Sequence, residues 1–180
     1  MTWPDRFVIE HFLEPDLCEL IVAEMQATEG SAATVYGRAA SGSIDTNVRK
    51  TLRIVPSTET LELVIRRLLS CKSDVEQHFN VSLSECEQPQ FLRYREGDFF
   101  VAHQDGNTGL LRLDTELRLI STVIFLNDVY GGGSLVFSNV SSKYDMPAAP
   151  GTLVAFRSET THEVTPVTHG ERFSIASWYR

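Results

Sequence analysis

The sequence lacks the long apolar runs, basic clusters and paired cysteines that define several large classes of protein. It has no stretch of about 18 apolar residues, so no membrane span is expected. The net charge of −8 repels a phosphate backbone, and no local Lys/Arg cluster offsets it, so nucleic acid is not an expected partner. Cys18, Cys71 and Cys86 form no C-x-x-C pair, which favours reduced thiols in the cytoplasm over a disulfide framework or zinc knuckle.

Two common catalytic signatures are also missing from the sequence. Gly131 to Gly133 do not open a helical pattern, so they predict a hairpin turn rather than a phosphate-binding loop. No convincing Ser/His/Asp or Cys/His nucleophile is present. Nucleophilic catalysis and nucleotide hydrolysis are therefore not expected.

Helical periodicity is confined to the N-terminal half of the chain. One helix is expected from Pro15 to a stop near Gly30. A clearer helix follows the N-cap residue Ser57 and runs to a stop at Asn80. Residues 29–45 are rich in Gly, Ala and Ser and predict a mobile loop. The apolar positions that carry the two helices are Leu17, Leu20, Ile21 and Met25 in the first, and Leu61, Val64, Ile65, Leu68, Leu69, Val75 and Phe79 in the second.

From residue 88 onward, short apolar runs alternate with turn residues. This spacing favours a mainly β fold, a jelly roll (double-stranded β-helix), braced by the N-terminal helices. A chain of 180 residues is long enough for one such domain. We expect residues 1–180 to form that single domain, with residues 1–87 as helical support and mobile loop and residues 88–180 as the jelly-roll core.

His103, Asp105 and His162 are the candidate metal ligands. His103 and Asp105 are two residues apart in an extended segment and point the same way, and His162 lies between two later strands. Two imidazoles and one carboxylate on one face of a metal leave three positions open, which is typical of non-haem Fe(II) oxygenases. A structural zinc site more often has four protein ligands. Taken singly, the histidines could be ordinary core or surface residues, and Asp105 a turn former.

Arg172 begins the last apolar strand, and alternation places it on the same face as Ser174, Ala176 and Trp178. An inward-facing arginine needs an anion, because a buried unpaired guanidinium is costly. Arginine also recognises carboxylates with a planar, two-pronged geometry. The alternative is a surface arginine paired with an acid such as Glu171.

The C-terminal half carries several motifs in a fixed order: Tyr94-x-x-Gly97 ahead of His103-x-Asp105, then Phe125-Leu126-Asn127, Gly132-Gly133-x-Leu135-x-Phe137, Pro150-Gly151-Thr152, and His162 ten residues before Arg172. Together, over about residues 88–180, they resemble the prolyl 4-hydroxylase branch of the Fe(II)/2-oxoglutarate dioxygenases.

The resemblance implies that His103, Asp105 and His162 bind Fe(II), with 2-oxoglutarate and O2 as co-substrates and ascorbate as a stimulant. It further implies that Arg172 pairs with the distal carboxylate of 2-oxoglutarate, helped by the hydroxyl of Tyr94 and an apolar contact from Leu135.

Two positions are assigned to substrate binding, and two others depart from the family pattern. Trp178 matches an aromatic near the mouth of the site, although core packing explains it equally well, and Arg118 could meet substrate or only solvent. Phe125 stands where some relatives carry a tyrosine, and Ser134 where many carry an acidic or apolar residue. Neither departure affects the iron site, but both weaken the transfer of a relative's substrate preference.

The expected reaction is hydroxylation of an unactivated C–H bond, with a prolyl residue in a peptide or protein as the family-based substrate. A free amino acid or small biosynthetic metabolite is the alternative substrate. A non-catalytic jelly-roll sensor that binds metal or 2-oxoglutarate is the alternative from another class, and an enzyme using another divalent metal is a third. Loops 29–45 and 106–116 are expected to flank the mouth. The oligomeric state is left open.

Overall fold

The computed structural model describes residues 5–34, 44–106 and 118–180. Within them, the helices are α1 (Pro15–Ala27), α2 (Thr58–Ser70) and α3 (Lys72–Phe79). The strands are β1 (Arg6–Ile9), β2 (Gly30–Ala32), β3 (Arg49–Lys50), β4 (Leu52–Ile54), β5 (Gln90–Tyr94), β6 (Phe99–His103), β7 (Ile120–Phe125), β8 (Tyr130–Gly132), β9 (Leu135–Ser138), β10 (Lys143–Met146), β11 (Leu153–Arg157), β12 (His162–Val164), β13 (Val167–Gly170) and β14 (Arg172–Tyr179).

Two antiparallel sheets form the body of the molecule. The larger has the strand order β1-β11-β7-β14-β5-β4-β2, and the smaller has the order β10-β9-β12-β6-β3. A short pair, β13-β8, lies beside them. Clusters of buried side chains from β7, β9, β10 and β11, and from β5 and β12, join the facing sides of the two sheets. This is the mainly β jelly-roll architecture that the strand spacing predicts.

Alternation along β14 explains how one strand serves both the core and the pocket. Phe173, Ile175 and Tyr179 belong to the large core cluster that the helices cover. The intervening side chains face the smaller sheet, because successive residues of a strand point to opposite faces. These pocket-facing residues are Arg172, Ser174, Ala176 and Trp178.

The first helix ends earlier than its sequence pattern predicts, and one of its apolar residues lies outside the core. α1 ends at Ala27, not near Gly30. Cys18, Ile21 and Met25 are buried, whereas Leu20 is 68% exposed. Leu20 immediately precedes Ile21, so it is rotated by about 100° from the buried stripe.

The second predicted helix is two helices that meet at Cys71. Ser57 caps α2 as expected, since its Oγ accepts a hydrogen bond from the Thr60 N–H at 3.3 Å. The break follows from local competition for carbonyl groups: Ser70 Oγ donates to the Arg67 carbonyl at 2.7 Å, and Cys71 Sγ donates to the Leu68 carbonyl at 3.3 Å.

The predicted stop of the second helix is confirmed. Asn80 ends α3 in the left-handed conformation, with φ 51° and ψ 54°. Leu69, which the pattern placed on the apolar face of the preceding helix, is 49% exposed. It is next to the fully buried Leu68, so a single residue separates the core face of α2 from its solvent face.

The prediction of a continuous loop over residues 29–45 is wrong at its start. Gly30–Ala32 forms strand β2 and pairs with β4 at the edge of the larger sheet. A Cβ on Gly30 would lie 2.6 Å from Ile54 Cδ1, so a glycine is needed for this close approach. Residues 35–43, and residues 107–116 of the second predicted loop, lie outside the described residues.

None of the described helices is both long and apolar enough to cross a membrane.

Candidate metal centre and its pocket

Strand pairing brings the three predicted metal ligands together. His103 at the end of β6 is the register partner of His162 at the start of β12. Asp105 follows two residues after His103, and its carboxylate lies between the two rings. His103 Nε2 is 3.6 Å from Asp105 Oδ1, and His162 Nε2 is 3.4 Å from Asp105 Oδ2.

Backbone carbonyls fix the orientation of both imidazoles. His103 Nδ1 is 2.8 Å from the Val101 carbonyl oxygen, and His162 Nδ1 is 2.9 Å from the Thr160 carbonyl oxygen. A carbonyl can only accept, so each Nδ1 carries the proton and each Nε2 has a free lone pair. Both lone pairs are therefore available to one metal ion, as in metal sites whose histidines are held through the other nitrogen.

The carboxylate of Asp105 is held by hydroxyl groups from β7 and the β11–β12 turn. Ser121 Oγ donates to Asp105 Oδ2 at 2.8 Å, and Ser121 Oγ is 2.8 Å from Ser158 Oγ. The Asp105 N–H also donates to the Ser158 carbonyl at 3.0 Å. These contacts set both the backbone and the side chain of Asp105.

The electrostatics of the three groups suit metal binding. Burial on its own raises the pKa of Asp105, but the adjacent His162 and His103 outweigh it and hold that pKa well below its usual range. Burial lowers the pKa of His162 to about 4, against the opposing effect of Asp105. At neutral pH the carboxylate is ionised and the His162 imidazole is neutral, which are the forms that bind metals.

The donor set fits one ferrous ion. The Nε2 atoms of His103 and His162 lie 3.6 and 3.4 Å from the two carboxylate oxygens of Asp105, separations that a single ion with bonds of about 2.0–2.2 Å can bridge. Among the described residues, no fourth His, Cys, Asp or Glu joins this group. Three open positions distinguish the site from a closed structural zinc site and match a two-histidine, one-carboxylate iron centre.

Arg172 lies at one end of a cavity of about 190 Å³ that the three ligands also line. It is 1% exposed, and its Nη1 donates to Ser174 Oγ at 2.7 Å, while its Nε has no partner. Its guanidinium lies over the rings of Tyr94, at 5.1 Å, and Phe125, at 5.7 Å.

The alternative partner for Arg172 is already engaged elsewhere. Glu171 accepts two hydrogen bonds at 2.7 and 2.9 Å from Arg93 Nη2 and lies 3.6 Å from Arg95 Nε. Arg172 forms no ion pair with any acid in the described part of the chain. A buried guanidinium with an unpartnered Nε, facing a cavity, is a site for an external carboxylate.

Comparison with known proteins identifies the family. The family model described as the 2OG-Fe(II) oxygenase superfamily matches residues 89–180. The chain belongs to this superfamily. The oxygenases of this superfamily use Fe(II) and 2-oxoglutarate, and the donor set and Arg172 of this chain fit both.

Curated relatives of the oxygenase are PKHD-type hydroxylases. One from Paracoccus denitrificans is 32% identical over 177 residues, which cover 91% of this chain and 75% of that protein. One from Shewanella oneidensis is 37% identical over 97 residues, which cover 50% of this chain and 41% of that protein. The chain thus spans less than half the length of the Shewanella relative.

Solved structures share the fold of the oxygenase. A Pseudomonas putida prolyl-4-hydroxylase superposes with a TM-score of 0.76 at 26% identity, over 98% of this chain and 92% of that one. A Trichoplax adhaerens prolyl hydroxylase, solved in complex with a peptide fragment, gives a TM-score of 0.73 at 18% identity, over 97% of this chain and 83% of that one.

The structure places the remaining predicted site residues around the same cavity. Tyr94 and Leu135 line it and are almost fully buried. Trp178 also lines it, and its indole N–H joins His162 and His103 in lowering the pKa of Asp105. Arg118 stacks on the Trp178 ring at 3.7 Å, but its charge is already paired with Glu87 through two hydrogen bonds of 2.7 Å.

Tyr130 is a residue of this oxygenase site that the sequence reading missed. It lies in β8 beside Arg172: burial raises the pKa of the Tyr130 hydroxyl, and the charge and hydrogen bonding of Arg172 oppose that rise. A Cβ on Gly133 would lie 3.1 Å from Arg172 Cδ and 3.2 Å from Tyr130 Cε2, so glycine lets this hairpin close on both side chains. The three glycines after Tyr130 were the available signal, but they were read only as a turn.

Proposed function

We propose that this oxygenase hydroxylates a prolyl residue in a peptide or protein, with His103, Asp105 and His162 as the iron ligands. The observation that carries the proposal is the convergence of these three side chains and Arg172 on one cavity. The structural likeness to the Pseudomonas putida prolyl-4-hydroxylase supports the choice of prolyl chemistry. The PKHD-type hydroxylase relatives support hydroxylation as the reaction.

Fe(II) and 2-oxoglutarate, when bound, supply the O2 activation that breaks an unactivated C–H bond. The protein holds the metal through two imidazole nitrogens that its backbone has already oriented. Asp105 contributes the single negative charge of the ligand set. Because Ser121 fixes that carboxylate, the ligands need little rearrangement when the metal enters.

Arg172 is the proposed anchor for the distal carboxylate of 2-oxoglutarate. Its Ser174 contact and the flanking rings of Tyr94 and Phe125 hold the guanidinium in one orientation. The Tyr94 hydroxyl is proposed as a second hydrogen-bond donor to the same carboxylate. Leu135 provides an apolar wall that excludes water from the side of the co-substrate, which strengthens the ion pair by lowering the local dielectric constant.

A free amino acid or a small metabolite is the alternative substrate, and one experiment separates it from the prolyl proposal. The protein is incubated with Fe(II), ascorbate, 2-oxoglutarate and either proline-containing peptides or single amino acids. Mass spectrometry then looks for a product heavier by one oxygen atom.

The proposal expects a hydroxylated prolyl peptide that forms only when 2-oxoglutarate is present. His103→Ala is the matched control and should form no product. Product from free amino acids alone would overturn the prolyl assignment. Metal and 2-oxoglutarate binding without succinate release in any mixture would favour the non-catalytic sensor.

A further inference from the structure

Arg49 is a second buried arginine in the wall of the active-site cavity. It lies in β3, at the edge of the smaller sheet, where it is the register partner of Phe100 on β6. It is 8% exposed and lines the cavity together with the three metal ligands.

A stack of rings connects Arg49 to the metal centre. Its guanidinium carbon lies 4.7 Å from the centroid of the Phe100 ring. The Phe100 ring in turn stacks on the His103 imidazole, with centroids 3.6 Å apart and planes 18° from parallel. One aromatic ring therefore separates the guanidinium from an iron ligand.

The positive charge of Arg49 is not balanced by the described protein. Nη1 donates to the neutral Thr34 carbonyl at 3.2 Å, and Nε is buried without a partner. No Asp or Glu of the described residues forms an ion pair with it. The adjacent Lys50, by contrast, is paired with Asp98 at 3.1 Å.

When the formal charges around the cavity are added, the positive charge of Arg49 has no negative counterpart among the described residues. The formal charges of Fe(II), Asp105, 2-oxoglutarate and Arg172 cancel one another once the centre is loaded. Glu87 is paired with Arg118 on the cavity wall, as described above. Because a buried guanidinium without an anion is costly, the remaining charge calls for an anionic group that arrives with the substrate.

We infer that Arg49 binds a carboxylate carried by the substrate, so that this oxygenase selects acidic substrates. The inference rests on the proposed prolyl hydroxylation and specifies its substrate class. An extended chain advances about 3.3–3.6 Å per residue, so a guanidinium one ring away from His103 reaches a carboxylate within one or two residues of the target. That carboxylate is either an acidic side chain next to the proline or a peptide C-terminus.

The test measures peptide binding separately from turnover. Wild-type protein is loaded with Mn(II) and 2-oxoglutarate without O2, and binding is followed by the change in intrinsic tryptophan fluorescence, to which Trp178 in the cavity wall contributes. Three matched proline peptides are compared: one with an adjacent Asp and a C-terminal amide, one with Asn and a C-terminal amide, and one with Asn and a free C-terminal carboxylate.

Arg49→Gln removes the charge, and Arg157→Gln is its matched control. Arg157 also donates to a carbonyl, that of Phe79, and stacks on a phenyl ring at 5.6 Å, but it lies on the helix side of the larger sheet. Arg49→Lys keeps the charge without the planar fork. Binding of 2-oxoglutarate by each variant reports whether the site is still folded.

We expect that at least one of the two peptides with a carboxylate binds wild-type protein roughly tenfold or more tightly than the peptide with Asn and a C-terminal amide, a difference of about 1.4 kcal/mol. Arg49→Gln should lose that preference while 2-oxoglutarate binding is unchanged, Arg49→Lys should keep part of it, and Arg157→Gln all of it. Tighter binding of the Asp peptide would show that Arg49 binds an acidic side chain. Tighter binding of the peptide with a free C-terminus would show that it binds the terminal carboxylate.

The inference is overturned if wild type shows no preference for a carboxylate, including the case in which no peptide binds. A preference that persists in Arg49→Gln overturns it as well. The same peptides are also tested for hydroxylation, which separates the two claims. If the protein prefers acidic peptides but hydroxylates none of them, only the prolyl hydroxylation is contradicted. If it hydroxylates the peptides without preferring acidic ones, only the role of Arg49 is contradicted.

Discussion

The buried guanidinium of Arg172 donates to Ser174 and faces a cavity, so its main contribution should appear when an anion binds. Replacing it with alanine removes a charge-assisted contact of about 1.5–3 kcal/mol. We predict that Arg172→Ala raises the KM for 2-oxoglutarate by roughly 10- to 150-fold, the range that corresponds to this energy. Succinate formation measured against 2-oxoglutarate concentration checks it.

Replacing Tyr130 tests whether its buried hydroxyl, which lies beside Arg172, contributes to 2-oxoglutarate binding. Tyr130→Phe removes only the hydroxyl and leaves the ring against Gly133. If that hydroxyl helps orient Arg172, 2-oxoglutarate binding to the Mn(II)-loaded protein should weaken severalfold. Tyr144→Phe on β10 is a matched control at a tyrosine that does not line the cavity. Equal 2-oxoglutarate affinity in both variants would assign Tyr130 to packing alone.

His103→Ala is expected to abolish metal-dependent behaviour without unfolding the protein. His103 is only half-buried, and the sheets are held mainly by the apolar clusters between and behind them. In wild type, Mn(II) at 100 times its Kd should raise the free energy of unfolding by about 2.7 kcal/mol. The variant should show no metal-dependent shift in Tm and no succinate formation, and a retained shift would remove His103 from the ligand set.

The order of the motifs and the family resemblance predicted His103, Asp105, His162 and Arg172 as site residues, and the fold brings them to one cavity. Their roles as iron ligands and co-substrate anchor stay predictions. The alternation along β14 that puts Arg172 and Trp178 in the cavity follows directly from period-two geometry. The isolation of Arg49 could not be predicted in this way. It depends on which acid each arginine meets across the fold, and Glu87 pairs with Arg118 across 31 positions of sequence.

At the scale of elements, the start of α2 depends on a small polar network. Ser57 Oγ accepts from the Thr60 N–H, and Glu24 of α1 accepts from Thr60 Oγ at 2.6 Å and from the Ser57 N–H. We predict that Ser57→Ala lowers the free energy of unfolding by about 0.5–2 kcal/mol, the usual cost of losing an N-cap. Denaturant unfolding measures it.

Thr58→Ala is the control for the cap variant, since Thr58 is exposed and forms no described side-chain hydrogen bond. It should change stability by less than about 0.5 kcal/mol. A similar loss in both variants would mean that the effect at position 57 is not specific to the cap, since alanine has the higher helix propensity at both positions.

Two errors in element prediction have the same origin. The apolar period continues smoothly through Cys71, so the pattern predicts one helix where side-chain hydroxyl and thiol groups break it into two. Gly30–Ala32 carries no apolar alternation at all, yet it pairs with β4 because Gly30 lets the backbones approach. Periodicity reports which face is buried; it does not report hydrogen bonds made by the side chains or steric room at a sheet edge.

Across the whole molecule, Glu87 connects the segment before β5 to the C-terminal strand. Its carboxylate accepts from Arg118 and Arg180, and its backbone carbonyl accepts from Ser177 Oγ at 2.7 Å. Burial on its own raises the pKa of Glu87, but the hydrogen bonds and charge of Arg118 and Arg180 outweigh it, so that pKa is lowered. We predict that Glu87→Gln costs about 1–3 kcal/mol of stability at pH 7.

The stability lost in Glu87→Gln should depend on pH and should decrease in acid. A carboxyl with a depressed pKa in the folded state stabilises the protein above its unfolded pKa and loses this contribution as pH falls through the folded pKa. Starting from the ordinary value of 4.5, the stability difference between wild type and Glu87→Gln should shrink as the pH is lowered further. Urea unfolding of both proteins at several pH values measures it, and a constant difference would contradict the ion-pair role.

The register of β6 against β12 has a consequence for unfolding pathways. An ion shared by Asp105 and His162 acts as a removable cross-link between positions 57 residues apart in the chain. Because the unfolded chain has no preformed site, the ion binds only the folded protein and stabilises the contact between β6 and β12 by linkage. Hydrogen exchange in these two strands should therefore slow when metal is added, and chelation should make the small sheet the first region to open.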